Sequence, residues 1–268
     1  MSRQPSRTDG PCVQLDIADG LATITLNRPA NGNAIDLALA RALMESLHAC
    51  EQHPGVRAIS LCGAGRLFCA GGDLAAIQSH GDAAPAYVRS LLAYLHEAIS
   101  AIARIPVPVV ARVHGAAAGA GLALACSCDL VVAARSSRFL MAYSKVVLTP
   151  DGSSTWFLPR LIGTRRALEL ALTNRELTAA EALDWGLVNE VVADAALDDR
   201  IARLTADLVA GPSGAFGETK RLLRSSLNES LETQMVREMQ SITAAFATAE
   251  AREGLAAFLE KRPPNFRL

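Results

Sequence analysis

The sequence predicts an α/β fold: a spiral of strand–strand–helix units over residues 12–194, followed by a helical region over 195–268. Three observations predict it. Half of the 268 residues are apolar and a fifth are charged, which supplies a sizeable core. Strand–strand–helix recurs along the core without an exact sequence repeat, which points to stacked similar units rather than a single open Rossmann sheet. From Ala195 onward the pattern is almost wholly helical, broken near Gly211-Pro212.

Residues 1–11 read as disordered. Val13–Ile17 and Leu21–Leu26 alternate in polarity around Asp19-Gly20, a hairpin signal. Asn27-Arg28-Pro29 ends the hairpin, and Asn31-Gly32-Asn33 is a turn. Asp36 can cap a helix running to about Glu51, with Leu37, Leu43 and Leu47 on its buried side. Ala58–Cys62 is a short strand, and a glycine-rich segment, Gly63–Leu74, follows it. Ser79–Ala86 reads as a mobile, alanine-rich stretch before a helix from about Tyr87 to Arg104. Pro106 and Pro108 bracket the entry to a buried strand, Val109–Val113. The central stretch, Arg112 to Thr155, reads as strand, glycine/alanine turn, apolar helix, second strand and a loop carrying Asp151. Trp156–Gly163, Arg165–Leu172 and Thr178–Trp185 read as helices, and Leu187–Val192 as the last strand.

A net charge of −1 leaves no electrostatic footprint for nucleic acid or an anionic membrane. The six cysteines, at 12, 50, 62, 69, 126 and 128, form no C-x-x-C, so they read as reduced core thiols. The polar start lacks the apolar core of a signal peptide, and charge-free Gly115–Cys128 is too short to span a bilayer. A soluble cytoplasmic protein is expected.

The glycine-rich segments fit neither the dinucleotide fingerprint nor a P-loop, because Phe68 and Leu124 stand where the former needs glycine. No G-x-S-x-G nucleophile elbow exists, and the histidines show no ligand spacing. His114, beside the central turn, reads as structural. What remains are two turns rich in small residues, around Gly72 and around Ala120, and one acid, Asp151 in Leu148-Thr149-Pro150-Asp151-Gly152. A helix that begins at such a turn leaves its first N–H groups unpaired, and these favour negative charge. Tight helix–strand packing is the alternative reading of either turn. Two convergent N–H groups would stabilise an oxygen gaining charge, such as the enolate of a thioester, at roughly 3 kcal/mol per well-placed donor. Asp151 has Leu148, Trp156 and Phe157 near it in sequence, an apolar setting of the kind that suits a carboxylate to proton transfer. The residues therefore point to proton abstraction next to a carbonyl.

Asn27-Arg28-Pro29 with Asn33-Ala34, Phe68-Cys69-Ala70-Gly71-Gly72-Asp73-Leu74, His114-Gly115 through Asp129, and the tail Glu253 to Phe266 together resemble the enoyl-CoA hydratase/isomerase (crotonase) family. The resemblance covers about Val13 to Phe266. It implies a crotonase-like ββα spiral core, a C-terminal helical trimerisation region, and homotrimers or dimers of trimers. It also implies acyl-CoA substrates, no separate cofactor since coenzyme A is part of the substrate, and a thioester oxygen held by the Gly72 and Ala120 N–H groups. The segment with Ala70, Gly71 and Asp73 would lie along the CoA adenine, with Leu74 and Tyr143 also in the substrate site. Lys261 or Arg262 would meet the CoA phosphates.

Two departures from that family's hydratases bear on the chemistry. Their pair of glutamates would fall at Ala123 and Tyr143; an alanine moves no proton, and a tyrosine is normally protonated at neutral pH. Asp151 instead resembles the acid of family members that isomerise enoyl-CoAs, and Phe139 through Arg160 is most similar to the phenylacetate-pathway epoxyphenylacetyl-CoA isomerase branch. The expectation is an isomerase with Asp151 as its single acid–base. The alternatives are a hydratase using Asp151 to activate water, and an acyl-CoA binding protein in which Asp151 only caps the helix near Ser153.

Overall fold

The computed structural model describes residues 10–267, so the disordered start expected for residues 1–11 lies almost wholly outside them. The chain opens with the expected hairpin, β1 (Val13–Ala18) and β2 (Leu21–Leu26), paired antiparallel. Asp19 and Gly20 both take positive φ, +52° and +93°, as a two-residue turn matched to strand twist requires. Asp36 caps α1 (Leu37–Gln52), its Oδ1 accepting from Leu39 N–H at 2.9 Å. Leu43 and Leu47 are buried as expected, and Leu37 is half-buried.

Beyond β2 the strands β3 (Ala58–Gly63), β4 (Val109–Val113), β6 (Leu130–Ala134) and β9 (Glu190–Val192) complete a six-stranded sheet in the order β1-β2-β3-β4-β6-β9. Every pair after the first is parallel. β3 and β4 are apolar nearly throughout, as strands covered on both faces must be. A second sheet holds β5 (Ala116–Ala118), β7 (Arg138–Leu140) and β8 (Leu177–Thr178) in the order β5-β7-β8. Single bridges extend it: Cys69 pairs with Ala117, and Ile35 with Gly72. The chain thus passes from the first sheet to the second, then into a helix, and repeats. This is the ββα spiral.

The helices of the core are α2 (Leu74–Gln78), α3 (Ala84–Arg104), α4 (Ala120–Ser127), α5 (Ser154–Ile162), α6 (Thr164–Thr173) and α7 (Ala179–Asp184). The expected mobile stretch before α3 is instead a short 3-10 turn, Gly81–Ala83, running into the helix itself. Pro85 sits in the first helical turn, where its missing N–H costs nothing, so the helix begins before Tyr87. β5 replaces some of the expected turn. Three alanines have little strand preference of their own, and pairing on both sides imposes the conformation.

After residue 195 come α8 (Leu197–Ala210), α9 (Ser213–Ser226), α10 (Leu231–Phe246) and α11 (Ala249–Glu260). Leu197 and Ile201 of α8 bury Val110, Val132 and Ala134 of the main sheet. α9 is pinned by ions: Lys220 Nζ lies 2.6 Å and Arg224 Nη2 2.9 Å from the carboxylate of Asp129. Leu231, Met235, Met239, Ile242 and Phe246 stand exposed along one face of α10. All six cysteines are free thiols. Among the described residues no helix is long and apolar enough to cross a membrane, and no three His, Cys, Asp or Glu side chains cluster to hold a metal.

Candidate active site

The site forms where the second sheet meets the first turn of α4. Ile35 N–H donates to Gly71 O at 2.7 Å and Asp73 N–H donates to Ile35 O at 2.9 Å. In such a parallel bridge the residue between the two bonded ones turns its own N–H to the other side. That residue is Gly72. On the side of β5, Cys69 of the same segment bonds in the manner of Ile35, donating to Ala116 O and accepting from Ala118 N–H. Gly119 N–H is taken by Leu140 O at 3.0 Å. Ala120 follows as the first residue of α4, where a helix leaves its N–H unpaired. Among the described residues, neither the Gly72 nor the Ala120 N–H has a backbone acceptor.

Glycines let the two turns touch. A Cβ on Gly71 would lie 2.9 Å from Ala118 O and 3.6 Å from Ala120 N. Gly119, at φ +51° and ψ −121°, holds a conformation that suits glycine, and a Cβ on it would lie 3.8 Å from Gly71 Cα. Gly121 lets Cys69 pack against the helix, since a Cβ there would sit 2.4 Å from Cys69 O. Arg28 braces the outside of the first turn: its Nη2 lies 3.1 Å from Asp36 and 3.0 Å from Asp73, so one guanidinium serves the caps of both α1 and α2.

The two turns open onto a cavity of about 100 Å³. Ala70, Gly71, Gly72, Leu74, Ala120, Tyr143 and Asp151 all line it, so most of the site residues expected from the sequence converge. Its remaining wall is apolar, with Ile35, Ile77, Val88, Leu91, Leu95 and Met141 among the lining side chains. Asp151 is the one carboxylate among them. Its Oδ1 accepts from the Tyr143 hydroxyl at 2.6 Å, and no other hydrogen bond to the carboxylate forms among the described residues. Burial, and then the charge of Asp151, push the Tyr143 phenol far above its ordinary range, so it is a fixed donor.

The capping role for Asp151 is not what the structure contains. Ser153 is the N-cap of α5 and makes no side-chain capping bond; it is the main-chain oxygen of Asp151 that accepts from Ser154 N–H, at 3.1 Å. Ala123 is fully buried, and a Cβ on Gly152 would lie 3.1 Å from its methyl, so the loop carrying Asp151 fills the space a glutamate would need.

Asp73 and Lys261 are not among the residues lining the cavity. Asp73 Oδ1 accepts from Ala76 N–H at 3.0 Å as the cap of α2; burial opposes its charge, yet that bond and Arg28 hold the carboxyl below its ordinary range. Lys261 is exposed in the left-handed turn that ends α11. His114 is a structural pin, with Nε2 2.9 Å from Gly65 O and Nδ1 3.0 Å from Arg112 Nη1. Sequence reasoning did not identify Ile35, Met141 or the α3 side chains as cavity wall. Periodicity marks Leu91 and Leu95 as buried on α3, but only the packing of that helix over the two turns tells that they face a cavity.

The sequence profile of the enoyl-CoA hydratase/isomerase family matches residues 16–267. The chain is 39% identical to the 1,2-epoxyphenylacetyl-CoA isomerase of Escherichia coli, over 93% of this chain and 96% of that protein. It is 35% identical to 4-chlorobenzoyl coenzyme A dehalogenase-2 of an Arthrobacter species, over 93% of this chain and 91% of that one. Among solved structures, an enoyl-CoA hydratase from Polaromonas sp. JS666 superposes with a TM-score of 0.91 at 34% identity, covering 95% of this chain and 99% of that one. Fold, the placing of the two turns and these likenesses agree: the chain belongs to the enoyl-CoA hydratase/isomerase family.

Proposed function

We propose that this chain is an acyl-CoA isomerase that shifts a double bond, or opens a ring epoxide, through a thioester enolate. One observation carries the reading. A single carboxylate, Asp151, lines the cavity onto which the Gly72 and Ala120 turns open. The thioester oxygen would accept from the Gly72 and Ala120 N–H groups, each worth roughly 3 kcal/mol to the transition state. In a 3-enoyl-CoA, Asp151 takes a proton from C2. The C2–H electron pair moves into a dienolate whose charge rests on the thioester oxygen. The same carboxyl returns the proton at C4, leaving the double bond between C2 and C3. One acid–base suffices, and no separate cofactor is needed.

The acyl group would lie against the apolar wall formed by Leu91, Leu95 and Met141, which offers no polar partner for a hydroxylated chain. For the CoA phosphates Lys261 is the better candidate, because Arg262 already pairs with Glu253 and Glu260 at 2.7 and 2.6 Å. The exposed apolar face of α10 supports assembly as a homotrimer or a dimer of trimers through the helical region. A cytoplasmic location completes the proposal.

A panel of 3-enoyl-, 2-enoyl- and epoxyphenylacetyl-CoA tests it. Isomerisation of the first or last supports the reading. The hydratase name of the Polaromonas relative favours a second reading, in which Asp151 activates water, and water addition to the 2-enoyl substrate would establish that instead. A protein that only binds acyl-CoA turns over none of them.

A further inference from the structure

Tyr143 opens a 3-10 turn, Tyr143–Val146, entered through Ala142 at φ +61°. Leu148 N–H donates back to Tyr143 O at 3.1 Å, so the turn is closed on itself. The ring edge lies beside the start of α4, with Cε2 3.9 Å from where a Cβ on Gly119 would be. The hydroxyl reaches the other way, to Asp151 Oδ1 at 2.6 Å. One rigid side chain therefore spans the gap between the donor turn and the acid. The carboxylate has no second hydrogen bond among the described residues that would fix its rotation.

We infer that Tyr143 is a positioning residue for the proton transfer: its phenol occupies Oδ1 of Asp151 and leaves Oδ2 to carry the proton between the substrate carbons. This rests on Asp151 being the base. The phenol donates to Oδ1 when the carboxyl is charged and still does so, to the carbonyl oxygen, once Oδ2 holds the proton. Rotation of the carboxyl is restrained through both states, so the proton taken from C2 stays beside C4.

The test is Tyr143→Phe, which keeps the ring and removes the hydroxyl, assayed with a 3-enoyl-CoA deuterated at C2 in ordinary water. We expect kcat to fall about 10- to 100-fold, since small misplacement of a reacting group costs on that order, with KM nearly unchanged. The fraction of product carrying the label at C4 should drop sharply from its wild-type level. That fraction is set within each turnover and does not depend on how much enzyme is folded. Wild-type label transfer in Tyr143→Phe, or an unchanged kcat, would overturn the inference. Asp151→Asn is run in parallel: turnover there sinks the reading of the base itself, whereas a dead Asp151→Asn beside a normal Tyr143→Phe sinks only the role given to Tyr143.

Discussion

Ile35 takes both main-chain hydrogen bonds that the Gly71–Asp73 segment offers its strand, donating to Gly71 at 2.7 Å and accepting from Asp73 at 2.9 Å, and so leaves the Gly72 N–H to face the other way. The site depends as well on residues that never reach the cavity. Asn33 is the clearest: fully buried, it donates from Nδ2 to Leu67 O at 2.7 Å and Ala64 O at 2.9 Å, and accepts from Arg28 N–H at 2.9 Å.

Asn33→Ala should strand those half-buried carbonyls and the buried Phe68 O, which accepts from the same Nδ2 at 3.2 Å. At roughly 1–3 kcal/mol for each unsatisfied group, we expect a loss of about 3 kcal/mol, read as a lower denaturant midpoint with an unchanged slope. A midpoint within experimental error of wild type would contradict the role given to Asn33.

Gly71→Ala should block the site more than it unfolds the protein. Its methyl would come 2.9 Å from Ala118 O at a φ of +101°, between the two donor turns. Losing the alignment of one donor costs on the order of 100-fold in kcat. Steady-state kinetics on the folded variant decide this, and wild-type turnover would show that the turns do not act together.

Ala123→Glu should not create a hydratase. The position is sealed by the Asp151 loop, with Gly152 in contact, so a carboxylate there would be buried without a partner. We expect a destabilisation of several kcal/mol, or a folded variant that adds no water to a 2-enoyl-CoA. Efficient hydration by this variant would mean the loop yields readily.

His114 makes stability depend on pH. Burial lowers its pKa first and the Arg112 charge adds to this, against the opposing effects of the Gly65 carbonyl and Asp198. A histidine held below its ordinary value of about 6.5 binds protons more readily unfolded than folded. Its contribution is therefore complete above that value and is lost as pH falls through it toward the folded value. Thermal midpoints of wild type should fall between about pH 7 and pH 5 more steeply than those of His114→Gln. Parallel curves would contradict this.

The turn at Asp19-Gly20, the Asp36 cap and the two donor turns were legible because local chemistry decides them. Three-residue β5 was not, since its alanines form a strand only through pairing with Cys69 and β7. The start of α3 was misplaced because the alanine-rich run Ser79–Ala86 reads as mobile in sequence, whereas in the fold Pro85 within it serves as a helix beginning. Asp151 was visible as a lone acid, but its bond to Tyr143 was not: the turn that presents Tyr143 is flanked by left-handed residues, Ala142 and Val147, that no periodicity announces. The two places reserved in hydratases for glutamate carry different consequences, Ala123 being filled by Gly152 and Tyr143 facing the acid itself.

The most direct test of Asp151 as the only acid–base is the rate of 3-enoyl-CoA conversion by Asp151→Asn, with acyl-CoA affinity measured on the same preparation by calorimetry. The account predicts a fall of at least about 1,000-fold in kcat, within the range that acid–base groups contribute, at unchanged affinity. Turnover within about tenfold of wild type would contradict it.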